Sequence, residues 1–432
     1  MFRLKENNTT VKTEIMSGFI TFLTMAYIVV VNPIVLAEAG VPIDQVFMAT
    51  IISAVVGTLW LALCANYPIA IAPGMGLNAF FTYTVVLGSD GKIDYLTAFG
   101  AVFLAGLIFI LISATPLRSK IITAIPENIK LAITAGIGLF IAFVGLRMSG
   151  LIVADEANLV RLGDLTSGPV ILAVIGLLVT VILMVLNVPG AIFIGMVVTG
   201  IIASITGDLK IEGVFQLPHI PEGILVWNPV TAIQDIISYG LYGVVFSFIL
   251  VTLFDTTGTL VGVAKQAGLM KDDKLPRGRV ALLGDSLATT VGAMFGTSPN
   301  TAFIESSAGV AAGGRTGLTS LTVGILFIVS SFFGPLVASL SGVSAITAPA
   351  LIVVGSLMIG AVKNITWDKF DEAFPAFLVI LAMPLTSSIA TGIAIGFIVY
   401  PLLKVVQGKF KEVHPLVYIF AVLFFIQLVF LS

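Results

Sequence analysis

The sequence predicts an all-α polytopic membrane protein, and three observations lead to that fold class. Only 10% of the 432 residues are charged, whereas 58% are hydrophobic. A soluble protein carries about 25% charged residues, so lipid must cover most of this chain's outer surface. Apolar runs recur along the chain, many of them near the roughly 20 residues that a helix needs to cross a bilayer. Two of these runs also contain an isolated acidic residue, Asp255 and Glu305.

The remaining composition excludes several classes of function. A single cysteine, Cys64, rules out an internal disulfide and a cysteine-based metal cluster. The two histidines, His219 and His414, fall in polar connections, which argues against a buried histidine switch or ligand set. A formal net charge of −2 without a basic patch argues against nucleic acid as a partner. We therefore predict no cofactor and no metal.

Fourteen candidate spans run along the chain in two groups of seven. They occupy residues 15–37, 46–66, 74–88, 95–115, 128–147, 169–186 and 189–206, and then 239–264, 279–295, 301–314, 317–340, 345–362, 373–387 and 389–406. A further apolar run at 414–431 either crosses the membrane or lies along it. Segments 74–88, 301–314 and 373–387 are too short to cross alone as regular helices.

Two of the short segments are preceded by extended sequence that contains proline. Residues 68–74 read PIAIAPG, and residues 297–301 read TSPNT. Proline disfavours helix in the residue before it, and β-branched alternation before Gly74 favours a strand. Non-helical backbone at membrane depth must be buried in protein or solvated by a cavity. We therefore expect short strands in the broken third and tenth spans, with half-helices that begin inside the membrane.

The two breaks occupy matching positions, which predicts an internal repeat. One break follows span 46–66 and the other follows span 279–295. Aligned on the breaks, the chain divides into repeats 15–206 and 239–406 with seven spans each. An odd number of spans inverts the second repeat relative to the first. Broken helices at matching positions of inverted repeats indicate the central site of a transporter.

Lysine and arginine residues predict the orientation of the chain. They cluster in the N-terminal segment, in the 265–279 connection and in the 404–411 connection. The members are Arg3, Lys5 and Lys12; Lys265, Lys271, Lys274, Arg277 and Arg279; and Lys404, Lys409 and Lys411. A cytoplasmic N-terminus puts all three clusters on the cytoplasmic side, as the positive-inside rule requires. The prediction is a multi-pass protein of the cell membrane.

Asp255 and Glu305 are the main candidates for binding a solute. A charge at membrane depth costs at least about 2.5–3.5 kcal/mol, so it is rarely present without a use. Asp255 lies deep in its span, and Glu305 is expected just over one turn into its half-helix. A carboxylate there can accept two N–H bonds from one edge of a flat heterocycle. The alternative is structural, with each carboxylate capping the N–H groups of a broken helix.

The first break adds three candidates. Gly76 lets the backbone approach a ligand, although close helix packing would equally require a small residue. Asn78 offers both a donor and an acceptor at the next turn. Phe80 lies near enough to the break to stack on a planar ligand.

Three further polar residues are expected to have mainly supporting roles. Thr301 and Ser306, in the second break, are expected chiefly to satisfy local backbone. Asp285 lies nearer the end of its helix, where it pairs with an interfacial group, caps the broken neighbour or takes part in coupling.

Four stretches of the sequence carry a resemblance to a known family. They are FRLKENNTTVKTEIMSGFITFLTMAYIVVVNP, APGMGLNAFF, FDTTGTLVG and TSPNTAFIESSAGV. Together they resemble the AzgA-like purine permeases, a branch of the nucleobase transporters that share the uracil-transporter fold. The likeness extends over nearly the whole chain and is strongest to the bacterial guanine/hypoxanthine permeases.

The resemblance implies a fold and a domain division. In that fold each inverted repeat contributes four spans to a core domain and three to a gate domain. The core would comprise residues 15–115 and 239–340, and the gate residues 128–206 and 345–406.

The resemblance also implies roles for individual residues. The family holds its purine between the two strand-containing segments, with acids of the eighth and tenth spans, which correspond to Asp255 and Glu305. The glycine and asparagine of its third span fall on Gly76 and Asn78, and the acid of its ninth span falls on Asp285.

The resulting hypothesis is a proton-coupled importer of purine nucleobases that works by alternating access, not an enzyme. Guanine and hypoxanthine are the expected substrates, and the proton is the co-substrate. The alternatives are an adenine- or xanthine-preferring symporter and an anion transporter of the same architecture. The sequence does not determine the oligomeric state, and a homodimer is compatible with it.

Overall fold

The computed structural model describes residues 2–115, 117–270 and 275–430, and most of its regular structure is helical. The helices are α1 (Val11–Met25), α2 (Ile28–Ala37), α3 (Ile43–Trp60), α4 (Met75–Ala79), α5 (Tyr95–Ala114), α6 (Leu117–Ala124), α7 (Glu127–Met148), α8 (Gly168–Val185), α9 (Ala191–Thr206), α10 (Pro229–Tyr239), α11 (Tyr242–Gln266), α12 (Gly278–Phe295), α13 (Ser306–Ala311), α14 (Gly317–Ser330), α15 (Gly334–Leu340), α16 (Ser344–Met358), α17 (Phe370–Thr386), α18 (Ile389–Val406) and α19 (Pro415–Phe430). The strands are β1 (Ile71–Pro73), β2 (Ile152–Asp155), β3 (Leu159–Leu162) and β4 (Asn300–Ala302).

Long apolar helices confirm the membrane class. Within the described residues, nine helical runs are long and apolar enough to cross a bilayer. They are Val11–Ala37, Ile43–Ala65, Tyr95–Ala114, Glu127–Met148, Gly168–Val185, Tyr242–Gln266, Gly317–Leu340, Ser344–Asn364 and Ile389–Val406. Helices α9 and α19 are apolar but shorter. The structure is therefore a mostly helical polytopic membrane protein, while fourteen crossings and the inversion of the repeats stay predictions.

The two breaks meet at the centre of the molecule. Strands β1 and β4 pair antiparallel, with Ala72 opposite Thr301. The Gly74 N–H donates to the Pro299 carbonyl at 2.9 Å, which extends the contact between the two segments. Helix α4 begins directly after β1 and continues as a π-helical turn at Phe80–Val86. The short strands and the half-helix predicted after Gly74 are thus present.

Several boundaries differ from the sequence prediction. The first span is two helices, α1 and α2, separated by a turn at residues 26 and 27. The span predicted from residue 239 begins at Tyr242, because residues 229–239 form the separate helix α10. The connection after α7 contains an antiparallel hairpin of β2 and β3, which sequence periodicity did not reveal. Residue 431 of the last predicted run, and Lys271 and Lys274, lie outside the described residues.

The helices form two packed groups around this centre. In one group, α12 packs on α3 and α5, and α14 packs on α1 and α3. In the other, α7 packs on α16 and α17, α8 on α9, and α17 on α18. The broken third span contacts α7 across the line between the groups. We call the contact between residues 75–86 and α7 the seam.

Helix α14 is held at its N-terminus by a buried acid of α1. The carboxylate of Glu14 accepts the backbone N–H groups of Arg315 at 2.9 Å, Thr316 at 3.2 Å and Thr319 at 3.3 Å. It also accepts the Thr319 hydroxyl at 2.6 Å. The N–H groups of a first helical turn lack partners within the helix, so this carboxylate satisfies donors that would otherwise be buried unpaired.

Helix α19 packs on α18 and closes one side of the second group. Phe420 and Phe424 contact the rings of Phe246 and Phe397, with centroids 5.0–5.7 Å apart. The C-terminal apolar run is therefore a helix, as predicted, and its relation to the membrane plane stays open.

Candidate functional site

Asp255 lies in the middle of α11, which is one uninterrupted helix as the sequence predicted. Its side chain lines a narrow cleft at the seam, together with Gly76 of α4 and Ile133 and Ile137 of α7. Thr301 of β4 lies close enough to Asp255 to interact with its carboxylate. One acid thus faces the boundary between the two helix groups, with strand β4 beside it.

Glu305 lies at a different place on its half-helix from the one predicted. It is the N-cap residue of α13, directly before Ser306, and not a residue one turn inside the helix. The two residues between β4 and Glu305 are irregular, so α13 begins later than the apolar run suggested. The partly exposed Glu305 side chain therefore sits at the start of the half-helix, where N–H groups favour negative charge.

Tyr27 holds Glu305 from the opposite side. The Tyr27 hydroxyl donates to Glu305 Oε1 at 2.6 Å, and the Thr24 hydroxyl donates to the Glu305 carbonyl at 3.4 Å. Tyr27 is buried in the turn that separates α1 from α2. The break in the first span therefore brings a phenol to the candidate site, and sequence reasoning missed it. The only sequence signal was a tyrosine in an otherwise apolar run.

Strand β4 joins the two acids. The Ala302 N–H donates to the hydroxyl of Thr256, the residue after Asp255, at 3.3 Å. The Ala70 N–H, directly before β1, donates to the hydroxyl of Ser306, the residue after Glu305, at 3.0 Å. Ser306 thus satisfies a backbone group of the other break, whereas the sequence suggested a local one. Asp255 and Glu305 lie close enough for their charges to interact.

Asn78 belongs to a buried polar network beneath the strands. Its amide donates to Asn32 Oδ1 at 3.0 Å, and Asn32 Nδ2 donates to the hydroxyls of Thr50 at 2.7 Å and Thr297 at 2.8 Å. The network links α2, α3 and both breaks. Asn78 Oδ1 has no hydrogen-bond partner among the described residues. That acceptor is buried and unpaired, although Asn78 does not line the Asp255 cleft.

Gly76 and Phe80 both make close packing contacts. A Cβ on Gly76 would lie 2.3 Å from Ile137 Cγ2, so the close approach of α4 to α7 requires glycine. Phe80 is fully buried and packs edge-on against Phe248, with ring centroids 5.1 Å apart. Gly76 lines the Asp255 cleft as well as the seam.

Asp285 forms a buried ion pair away from the cleft. Its carboxylate accepts Arg118 Nη1 at 3.1 Å and Nη2 at 2.9 Å, and both side chains are almost fully buried. Arg118 also donates to the Ser113 hydroxyl at 2.9 Å and lies 4.4 Å from the centroid of the Phe109 ring. This pair fastens α6 to α12. Arg118 was missed by sequence reasoning because its partner is 167 residues away.

The arrangement offers carboxylates, hydroxyls and the unpaired amide oxygens of Asn78 and Asn300, which suit hydrogen bonding to a small polar solute. The described residues hold no group of three or more histidine, cysteine, aspartate or glutamate side chains that could hold a metal ion.

Comparison with known proteins gives the family. The family model described as Permease family, for xanthine and uracil permeases, matches residues 12–395. The chain is 66% identical over 429 residues to guanine/hypoxanthine permease PbuO of Bacillus subtilis (strain 168), covering 99% of each chain. It is 41% identical over 433 residues to adenine permease AdeP of Escherichia coli (strain K12), covering 100% of this chain and 96% of that one.

Solved structures agree at the level of the fold. The transmembrane domain of the cyanobacterium bicarbonate transporter BicA aligns with a TM-score of 0.61 at 19% identity, over 87% of this chain and 97% of that one. The matches confirm the nucleobase-permease resemblance that the sequence motifs carry. They also agree with the prediction of a transporter and not an enzyme. The chain belongs to the xanthine/uracil permease family.

Proposed function

We propose that this permease carries purine nucleobases into the cell together with protons, with guanine and hypoxanthine as preferred substrates. The observation that carries the proposal is the pair of acids beside strand β4: Asp255 lines the cleft at the seam, and Glu305 caps α13, where the Tyr27 hydroxyl holds it. The substrate preference is supported by a relative, 66% identical, that is named a guanine/hypoxanthine permease.

Each acid has a distinct role in the proposal. The Glu305 carboxylate accepts hydrogen bonds from ring or exocyclic N–H groups of the base, while Tyr27 fixes one of its oxygens. Charge-assisted bonds of this kind are about twice as strong as neutral ones. Asp255 binds the base and takes up the coupled proton. A protonated Asp255 donates to a purine oxygen or ring nitrogen, so that proton and substrate stabilise each other's binding.

The remaining predicted residues support this pair. Thr301 orients Asp255, and Asn78 offers its unpartnered Oδ1 to the base. Gly76 allows the close approach of α4 to α7, and Phe80 supports the half-helix from behind. Asp285 acts on coupling only through the position of α12, because its carboxylate is taken by Arg118.

Movement of one helix group against the other would give alternating access. We assign residues 15–115 and 239–340 to the core and residues 128–206 and 345–406 to the gate, as two inverted repeats. The separate packing of α7, α16 and α17 supports this division. The N-terminus is assigned to the cytoplasm of a cell-membrane protein by the positive-inside rule.

Adenine is the second candidate substrate, because a relative 41% identical is named an adenine permease. A xanthine-preferring symporter is a further alternative. An anion carrier of the same architecture is disfavoured, because two carboxylates at the centre would repel an anion.

Uptake of labelled hypoxanthine tests the proposal. Glu305→Gln and Asp255→Asn should each lower apparent affinity or rate by at least about tenfold, which corresponds to about 1.4 kcal/mol. Ser307→Ala, two residues after Glu305 on α13, serves as a matched control that should transport normally. Normal KM and Vmax in both acid variants would refute the site. Competition by unlabelled guanine, xanthine and adenine identifies the preferred base.

A further inference from the structure

A second polar cleft lies at the seam, at the end of the helices opposite the N-terminal segment. It is lined by Glu38, Tyr83, Arg147 and Ser344, with Val144 and Met148, and encloses about 270 Å³. This volume is just below the roughly 300–1,000 Å³ of pockets for drug-sized ligands, so only a small solute would fit the cleft. None of its residues belongs to the Asp255 cleft.

The second cleft lies along the same seam as the Asp255 cleft. The Asp255 cleft is walled by residues 76–77 of the third span and residues 133–137 of α7. The second cleft is walled by Tyr83 of the same span and by residues 144–148 of α7. Seven residues of helix correspond to about 10 Å. The two clefts therefore open along one seam, about two helical turns apart.

Apolar side chains separate the two clefts. A Cβ on Gly76 would meet Ile137 Cγ2 at 2.3 Å and Ile141 Cδ1 at 3.7 Å, which shows how closely α7 covers the half-helix there. Phe140 and Ile141 are buried on the same stretch of α7. A solute moving along the seam would have to part these contacts to pass from one cleft to the other.

The second cleft combines opposite charges drawn from the two helix groups. Glu38 is the C-cap residue of α2, where helix carbonyls already supply negative charge and disfavour an acid. Arg147 lies in the last turn of α7 and is close enough to interact electrostatically with Glu38. The Tyr83 hydroxyl donates to Met148 Sδ at 3.5 Å and lies close enough to Glu38 to interact with its carboxylate. Among the described residues, Arg147 and Glu38 do not make a direct ion pair, so both charges face the cleft with capacity for a ligand.

We propose that this cleft is an outer recognition site that binds a 6-oxopurine before it enters the central site. The inference rests on the proposed function and on the assigned orientation. The Arg147 guanidinium presents parallel N–H donors that match the adjacent O6 and N7 acceptors of a 6-oxopurine. Glu38 accepts from a ring N–H on another edge of the base. Adenine presents an amino donor beside N7, so it opposes the Arg147 fork.

Transport kinetics of Arg147 variants test this site. Arg147→Gln should raise the KM for labelled hypoxanthine about tenfold, since it removes the bidentate contact to O6 and N7. Vmax at saturating substrate should stay within about twofold, because the central acids are untouched. Arg147→Lys should not restore KM, because lysine keeps the charge but loses the fork. In Arg147→Gln, unlabelled adenine should compete with labelled hypoxanthine as strongly as in the unaltered protein, or more strongly.

Arg161→Gln is the matched control. It removes an exposed arginine from β3, in the hairpin that follows α7, without touching the cleft. It should leave KM unchanged, and immunoblotting should show equal membrane amounts of every variant.

Three results separate the possible failures. Absence of purine uptake by the unaltered protein would refute the proposed function itself. An unchanged KM in Arg147→Gln, with uptake intact, would overturn the outer site alone. Restoration of normal KM by the charge exchange Glu38→Arg with Arg147→Glu would also overturn it, because the two residues would then act as an ion pair and not as ligands.

Discussion

The Tyr27 hydroxyl reaches Glu305 from a break in the first span, and this contact could not be predicted from the sequence. The break carries neither proline nor glycine within it, since residues 26 and 27 are alanine and tyrosine. The second break was predictable because Pro299 and the polar residues around it interrupt an apolar pattern. The sequence therefore identified the acid but not the phenol that holds it.

Tyr27→Phe removes that hydrogen bond and keeps the ring that fills the turn. A hydrogen bond to a charged group contributes about 1.5–3 kcal/mol, so the KM for hypoxanthine should rise at least about tenfold. Labelled uptake at a series of substrate concentrations measures the change. Tyr418→Phe, which removes an exposed hydroxyl bond to the Phe410 carbonyl, is the control. An unaltered KM in Tyr27→Phe would show that Glu305 does not depend on this contact.

At the scale of helices and strands, proline and glycine mark the positions where secondary structure is predictable from the sequence. Strands β1 and β4 follow from residues 68–74 and 297–301, where helix is disfavoured before each proline. The start of α13 was misplaced because Phe303 and Ile304 continue the apolar pattern without adopting helix. The hairpin of β2 and β3 was not predicted, because no proline marks either strand and both lie in a connection between spans.

Helix α14 depends on Glu14, and this gives a stability prediction. Glu14→Ala leaves the backbone N–H groups of Arg315 and Thr316 without their acceptor, each costing about 1–3 kcal/mol, while the Thr319 N–H keeps its bond to the Thr316 carbonyl. The midpoint of thermal unfolding in detergent should fall by several degrees, with a smaller fall for Glu14→Gln. Glu6→Ala, which breaks only a surface pair with Arg3, should leave the midpoint unchanged. Equal midpoints for Glu14→Ala and Glu6→Ala would refute the capping role.

The Arg118–Asp285 pair should show non-additive energetics. Removing one partner of a buried pair costs about 3–5 kcal/mol, because the other charge is left unpaired. Arg118→Met and Asp285→Asn should each lower the unfolding midpoint strongly, whereas the double variant should lose less than the sum. Arg161→Met, which breaks an exposed pair with Asp155, is the matched control. Strict additivity in the double variant would contradict a direct pair.

At the scale of the whole molecule, composition was sufficient to predict a polytopic membrane protein. Scarcity of charge and the recurrence of apolar runs determine that class in any arrangement of helices. How the helices pack was not available from composition, because contacts such as those between α12 and α3 join residues more than 200 positions apart. The inverted repeats and the core and gate domains stay predictions supported by this packing.

The seam between the helix groups should be sensitive to a single methyl group. Gly76→Ala places a Cβ 2.3 Å from Ile137 Cγ2, so α4 and α7 must separate. Uptake should fall at least about tenfold, since displacement of the site by about 1 Å has effects of that order or larger. Adding Ile137→Ala to the Gly76→Ala protein should restore part of the uptake. Gly262→Ala, a helical glycine with open space around it, should transport normally. Normal uptake by Gly76→Ala would contradict the close contact.

The most direct test of a proton-coupled purine carrier uses the purified protein alone in liposomes. An imposed proton gradient, acidic outside, should drive accumulation of unchanged labelled hypoxanthine above the external concentration. A protonophore should abolish that accumulation, and liposomes with Glu305→Gln should show little of it. Accumulation that persists unchanged after the gradient collapses would contradict proton coupling. Absence of any hypoxanthine flux through correctly inserted protein would contradict the central claim that these acids bind a purine.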